Sequence, residues 1–227
     1  MFVFDPLSGS AAQAQGLLSQ VVAPRPIALV STSDETGVVN VAPFSYYMAV
    51  TGRPLLVAIS MGTRVIDGAD KDSYRNAMAC GEFVINVTTD NLRNELEVAA
   101  MEFPAGVSEL DAVGWTPIPS QRVQPPSIAE SPVHLECRVH QVVDLGDLGE
   151  SCGGVHLVIA EVVCIVLDES VCSPGTDSVR VDQQLLAPVG RMGFPWFTRS
   201  TPESMFQLSR VPYDEFAATG RRPGPMD

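Results

Sequence analysis

The chain has 227 residues, 45% of them hydrophobic, and a formal net charge of −13. That length can bury a full core in one large domain, and the acidity argues against nucleic acid or an anionic membrane as a partner, because no basic stripe is present to offset the repulsion. Cys80, Cys137, Cys152, Cys164 and Cys172 include no C-x-x-C pair, and there is neither a basic-then-apolar leader nor an apolar run of about 18 residues, so reduced thiols and a cytoplasmic location are expected.

The 18 glycines and 18 prolines are spread along the chain, which suits many short strands joined by tight turns. Residues 27–32 (IALVST) form a β-branched, apolar run, 34–37 (DETG) a polar loop, and 38–42 (VVNVA) resume the strand pattern, which predicts a hairpin. After Pro54 comes 55–60 (LLVAIS), apolar on both faces and expected in the middle of a sheet. A helix is predicted from Asp72 to Cys80, with Tyr74, Ala77 and Met78 on one face and Gly81 ending it. The next strand is 82–87 (EFVINV), and a second helix is predicted over 90–101, with Asp90 as N-cap and Leu92, Leu96 and Ala99 at helical spacing. Two long runs, 132–143 and 155–167, read as strands of a strongly bent sheet or barrel, paired across the loop 144–154. Residues 1–210 are expected to form a single domain and 211–227 a flexible tail.

Familiar chemical signatures are missing. There is no G-x-G-x-x-G opening a helix, no G-x-x-x-x-G-K-[ST] and no G-x-S-x-G. His134, Glu136, Arg138 and His140 alternate along one strand, with Cys152 and His156 around the following loop. Their spacing matches no strong zinc pattern, and solvation of a half-exposed strand face explains them, so no metal is expected.

Two stretches point to a ligand. The segment ADKDSYRN, residues 69–76, holds Lys71, the sole lysine of the chain, at the start of the predicted helix. A helix start offers unpaired N–H donors and partial positive charge, Lys71 adds a full charge and Ser73 a hydroxyl, and Arg64 and Ser60 can converge on the same anion. The alternative is a helix capped by Asp70 or Asp72 with Lys71 in solvent. In NVAPFSYY, residues 40–47, Pro43 lacks an N–H and is expected to interrupt strand pairing, leaving backbone groups free beside Asn40, Ser45 and three aromatic rings. Such a mixture suits a planar heteroaromatic ligand; the alternative is a kinked strand end with core aromatics.

Taken together, PRPIALVST (24–32), NVAPFSY (40–46), KDSYRN (71–76) and EFVINV (82–87), in that order and spacing, resemble the flavin reductase-like family of FMN-binding split-barrel proteins. SELDAVG (108–114), ESPVHLEC (130–137), EVV (161–163) and GRMG (190–193) extend the resemblance over most of the chain. It implies a mainly β fold, a six-stranded split β-barrel with flanking α-helices, assembled as a homodimer that binds FMN near the subunit interface. By position, Asn40, Ala42, Pro43, Phe44 and Ser45 line the isoalloxazine, Ser60 and Arg64 approach the ribityl phosphate, and Lys71, Asp72 and Ser73 hold its far end. Arg25, Ser31, Asn76 and Arg191 are implied as further contacts.

The sequence departs from the family pattern in three places. Ser73 replaces the usual threonine, which keeps the hydroxyl. Ala160 stands where glycine often precedes the glutamate of the late strand, and Phe194 follows Gly193 where a second glycine is common, a bulky ring expected to narrow access near the flavin and so to bear on nicotinamide binding. The activity implied is NAD(P)H-dependent flavin reduction, with reduced flavin passed to a partner monooxygenase or another acceptor. The lack of a G-x-S-x-G nucleophile is no objection, because hydride transfer is chemistry that the cofactor carries. Rival expectations are a flavin-binding carrier or sensor without nicotinamide turnover, and a flavin-less interaction barrel, which Phe194 favours.

Overall fold

The computed structural model describes residues 1–104, 106–147, 154–173 and 178–224. Helix α1 (Ala11–Val21) starts at Ser10, whose hydroxyl accepts from Gln13 N. The short strand β1 (Arg25–Pro26) leads into β2 (Ala28–Ser33), which pairs antiparallel with β3 (Val39–Phe44). Asp34 closes the intervening loop by accepting from the N–H groups of Thr36 and Val38. Strands β4 (Tyr47–Gly52) and β5 (Leu55–Gly62) form a second hairpin, and α2 (Asp72–Cys80) follows. It ends at Gly81, whose φ of 74° is a left-handed conformation that costs glycine nothing.

Next come β6 (Glu82–Val87), the short helices α3 (Leu96–Ala99) and α4 (Leu110–Val113), and the two-residue strands β7 (Pro117–Ile118) and β8 (Ser127–Ile128). Long strands β9 (Val133–Asp147) and β10 (Gly154–Leu167) are antiparallel neighbours. Helix α5 (Gln183–Leu186), the hairpin of β11 (Val189–Arg191) with β12 (Phe197–Arg199), and α6 (Tyr213–Thr219) complete the chain.

The main sheet has the order β3-β2-β6-β9-β10-β5-β4, seven strands where six are expected. Its two edge strands, β3 and β4, are separated in sequence by Ser45 and Tyr46 alone. Three Cα–Cα steps reach at most about 11 Å, whereas the edges of a flat seven-stranded sheet lie about 29 Å apart. The sheet must therefore curl into a barrel, with β3 and β4 flanking the split. Ala28, Val30, Ile59, Met61, Phe83, Ile85 and Val158 fill its interior. Leu29 and Val41 point the other way and pack with Leu92, Ala99, Trp115 and Ile128 beneath the short helices. Both faces of β2 are thus buried, which accounts for its unbroken apolar run.

Three sequence expectations change. Pro43 does not interrupt β3; it sits within the strand opposite Leu29, and the free edge of β3 tolerates its missing N–H. The helix expected over 90–101 is divided into a 3-10 turn, Asp90–Leu92, and α3. Asp90 is no cap: its carboxylate accepts from Arg93 and from Arg199 of β12, while Thr89 bridges Pro188, so this segment is held to the β11–β12 hairpin. His134 and Glu136 are buried rather than solvated. His134 Nδ1 lies 2.9 Å from Asn86 Oδ1, and Glu136 accepts from the N–H groups of Gln121 and Arg122 at 2.7 and 2.6 Å, so their polarity satisfies the interior. Within 211–227, Tyr213–Thr219 form α6, and Gly224 O accepts from Ser209 N. Cys152 and most of the expected 144–154 loop lie outside the described residues.

Candidate functional site

A cavity of about 190 Å³ opens between β3, the first turn of α2 and the segment after α3. Strand β3 contributes Asn40, Ala42, Pro43 and Phe44, the turn after β5 contributes Arg64, and α2 contributes Lys71, Asp72 and Ser73. Residues 99–103 and Glu109 form the opposite wall. A second cavity of about 200 Å³ shares Pro43 and Ala100 with the first, making one groove, and adds Ser45, Ile27, Leu96, Glu97, Arg191 and Phe197.

One end of the groove gathers cationic side chains and open backbone N–H groups. Lys71 is the N-cap of α2 and no side chain caps the helix, so the N–H groups of Asp72 and Ser73 stay open, while that of Tyr74 donates to Lys71 O. Asp70 does not cap it either: its carboxylate accepts from His156 Nε2 at 3.0 Å. Lys71 makes no ion pair among the described residues. The Arg64 side chain is only 12% exposed; its Nη1 is 3.9 Å from Asp72 Oδ2, and Nε lies 3.5 Å from Asp67 Oδ2 without a hydrogen bond. A buried guanidinium N–H without a partner carries an unmet desolvation cost, which a phosphate oxygen can relieve. Asp72 lines the same cavity and is paired with Arg75. These donors fit a phosphate of a flavin nucleotide, and Ala42 and Pro43 add apolar surface beside them.

Sequence reasoning places fourteen residues at the ligand, and the groove gathers ten of them: Asn40, Ala42, Pro43, Phe44, Ser45, Arg64, Lys71, Asp72, Ser73 and Arg191. Arg191 pairs with Glu97 at 2.6 Å and stacks over Phe197, centroid distance 4.2 Å. Four lie elsewhere. Arg25 is buried, and its guanidinium donates to the carbonyls of Ser19, Val22 and Met192 and to Ser45 Oγ, which makes it a brace beneath the groove. Ser31 is fully buried and donates to Pro126 O. Asn76 donates to Thr32 Oγ1, inside the α2–β2 packing. Ser60 is held in the sheet, its N–H on Tyr46 O and its Cα opposite Leu157. Phe194 lines neither cavity and is 76% exposed at the tip of the β11–β12 hairpin.

The residues that sequence reasoning missed are Glu109, the wall 99–103, and Glu97 with Phe197. Glu109 is 5% exposed and accepts from Val41 N at 2.9 Å. Burial pushes its carboxyl above the usual range, the Val41 N–H pulls the other way, and the charge of Asp72 adds to the rise. SELDAVG is legible as a family-like stretch, yet nothing local in it marks Glu109 as buried.

A curled antiparallel sheet with split edges and a groove between β3 and α2 defines a split-barrel protein. The chain belongs to the flavin reductase like domain family, whose profile matches residues 21–178. It is 38% identical to an uncharacterized protein of Halalkalibacterium halodurans, over 83% of this chain and 87% of that one. Among solved structures it superposes on nitrilotriacetate monooxygenase component B from Bacillus cereus with a TM-score of 0.82 and 27% identity, covering 92% of this chain and 98% of the other. The 2-nitrobenzoate 2-nitroreductase NbaA of Pseudomonas fluorescens gives a TM-score of 0.79 at 26% identity, with 93% and 96% covered. No helix among the described residues is long and apolar enough to cross a membrane.

Proposed function

We propose that the protein is an FMN-binding oxidoreductase that uses NAD(P)H to reduce flavin, and that it works as a cytoplasmic homodimer supplying reduced flavin to a partner monooxygenase or another acceptor. The observation that carries this reading is the convergence of residues 40–45, Arg64 and the open start of α2 on one groove. Bound FMN supplies the hydride-accepting ring, so the protein needs no nucleophile or general base of its own. Lys71, Arg64 and the first-turn N–H groups would hold the phosphate. Ala42, Pro43 and Ser45 would orient the ring and keep water from one face of it. In a chain of net charge −13, concentrating these donors at one point offsets the repulsion a phosphate meets elsewhere. The homodimer is supported by β4, an unpaired sheet edge on which Met48 and Val50 are exposed.

The neighbouring structures suggest two fates for the electrons. The name of the Bacillus cereus protein, component B of a monooxygenase, favours delivery to an oxygenase. The second cavity, walled by Ile27, Leu96 and Phe197 beside Arg191, favours direct reduction of an organic acceptor, as in the nitroreductase.

Purified protein mixed with FMN and then, anaerobically, with NADH or NADPH tests the reading. Flavin absorbance that bleaches rapidly with either nucleotide supports it. Bound flavin that neither nucleotide bleaches makes the protein a carrier or sensor, and failure to bind FMN leaves only an interaction barrel.

A further inference from the structure

Glu109 has no task in the function above. Glu109 Oε2 accepts from Val41 N at 2.9 Å, and no arginine, lysine or histidine pairs with this carboxylate among the described residues. Its other oxygen, Oε1, faces one end of the Asn40 amide at 3.1 Å, and the other end of that amide lies 2.8 Å from Ser73 Oγ. Ser73 sits in the first turn of α2, on the groove wall.

This relay has two self-consistent arrangements. An ionised Glu109 only accepts, so Asn40 turns Nδ2 toward it; Oδ1 then accepts from the Ser73 hydroxyl, whose hydrogen is committed. With a proton on Oε1, Glu109 donates to Asn40 Oδ1, the amide is reversed, and Nδ2 donates to Ser73 Oγ. The Ser73 hydrogen is then free to point into the groove.

We propose that Glu109 is the proton-linked control of the groove's anion end: its protonation reverses Asn40 and turns Ser73 into a hydrogen-bond donor to the phosphate of bound FMN. This rests on the FMN reading above. The charged groups facing the same cavity are Arg64 and Lys71, which favour the ionised acid, and Asp72 and Glu102, which favour the protonated one. Glu97 belongs to the adjoining cavity, where Arg191 holds it. Desolvation already raises the affinity of Glu109 for a proton, and an arriving phosphate adds negative charge beside it. Binding therefore takes up a proton, and by linkage FMN affinity is highest at low pH and falls as pH rises through the ligand-free pKa of Glu109, levelling off above the ligand-bound one.

The test is the FMN dissociation constant, from flavin fluorescence quenching between about pH 5 and 8.5, for wild type and Glu109→Gln. Glutamine donates permanently to Asn40 Oδ1 while accepting from Val41 N, so it imitates the protonated arrangement. Titration of the FMN phosphate affects both proteins alike and cancels in their ratio. The ratio of wild-type to Glu109→Gln dissociation constants is expected to rise by roughly tenfold with pH, the worth of one hydrogen bond to a charged group. A flat ratio overturns the proposal while leaving FMN binding intact. Should Glu109→Gln not fold, calorimetry of wild type in buffers of different ionisation enthalpy, across the same pH range, decides: a window of net proton uptake on FMN binding is expected, and its absence over the whole range overturns the proposal. Wild type that binds no FMN at any pH removes this proposal and the FMN reading together.

Discussion

His156 Nε2 donates to Asp70 Oδ1 across 3.0 Å, tying β10 to the residue before Lys71. The imidazole also stacks on Tyr74 of α2, centroids 4.0 Å apart and planes 6° from parallel. Thr63 and Asp70 bridge the base of the same turn, and Arg64 N donates to Ala69 O. The loop that presents Arg64 and Lys71 is thus clamped at its neck. His156→Phe keeps a stacking ring and removes the hydrogen bond. Its FMN affinity is expected to fall several-fold, corresponding to about 1 kcal/mol, with near wild-type melting. Unchanged affinity in a fluorescence titration shows that the clamp does not position Lys71.

Lys71→Ala tests the anion end directly. Removing a charged hydrogen-bond donor from a phosphate costs about 1.5–3 kcal/mol, so FMN affinity is expected to drop at least tenfold. Lys71 has no ion pair to lose among the described residues, and the melting temperature of the ligand-free protein should barely move. Equal dissociation constants for the two proteins place the phosphate elsewhere.

Arg25→Ala should behave in the opposite way. Its guanidinium satisfies three backbone carbonyls and Ser45 Oγ, and it lies 5.3 Å from the centre of the Tyr46 ring. Truncation leaves buried acceptors without donors, at a cost of about 3 kcal/mol, which lowers the melting temperature of a chain of this size by roughly 6–12 °C. A normal melting temperature with lost FMN affinity returns Arg25 to the ligand.

Glu109 also has a signature in stability. Its folded-state pKa is raised above the unfolded value, so its contribution is intact below the unfolded pKa and is lost as pH rises through the folded one. Ligand-free Glu109→Gln, which cannot ionise, is therefore expected to gain in melting temperature relative to wild type as pH rises from about 5 to 8. A difference that stays constant over that range means the carboxyl titrates normally.

Much of the groove is legible in the chain. The stretch 40–45, Arg64 and the start of α2 at Lys71 stand out because helix starts, a strand proline and a lone lysine are local signals. Arg25 and Ser31 carry the same polarity in the sequence and still fall away from the groove, since their hydrogen bonds reach Met192 and Pro126 across intervals of 167 and 95 residues. Asp90 reads as a cap until Arg199, 109 residues on, takes its carboxylate.

The sequence by itself determined the strands 27–32, 55–60 and 82–87, and the helix Asp72–Cys80 with its start at Lys71 and its stop at Gly81. All of these follow from periodicity, turn chemistry or backbone ends within a few residues. Tertiary structure alone decided that β3 and β4 meet at a split, that His134 and Glu136 turn inward, and that Glu109 reaches Val41 from 68 residues away to close the groove. Burial is the physical reason: whether a polar side chain is solvated, braces the fold or faces a ligand depends on which distant donors the barrel brings within about 3 Å of it, and no local pattern records that.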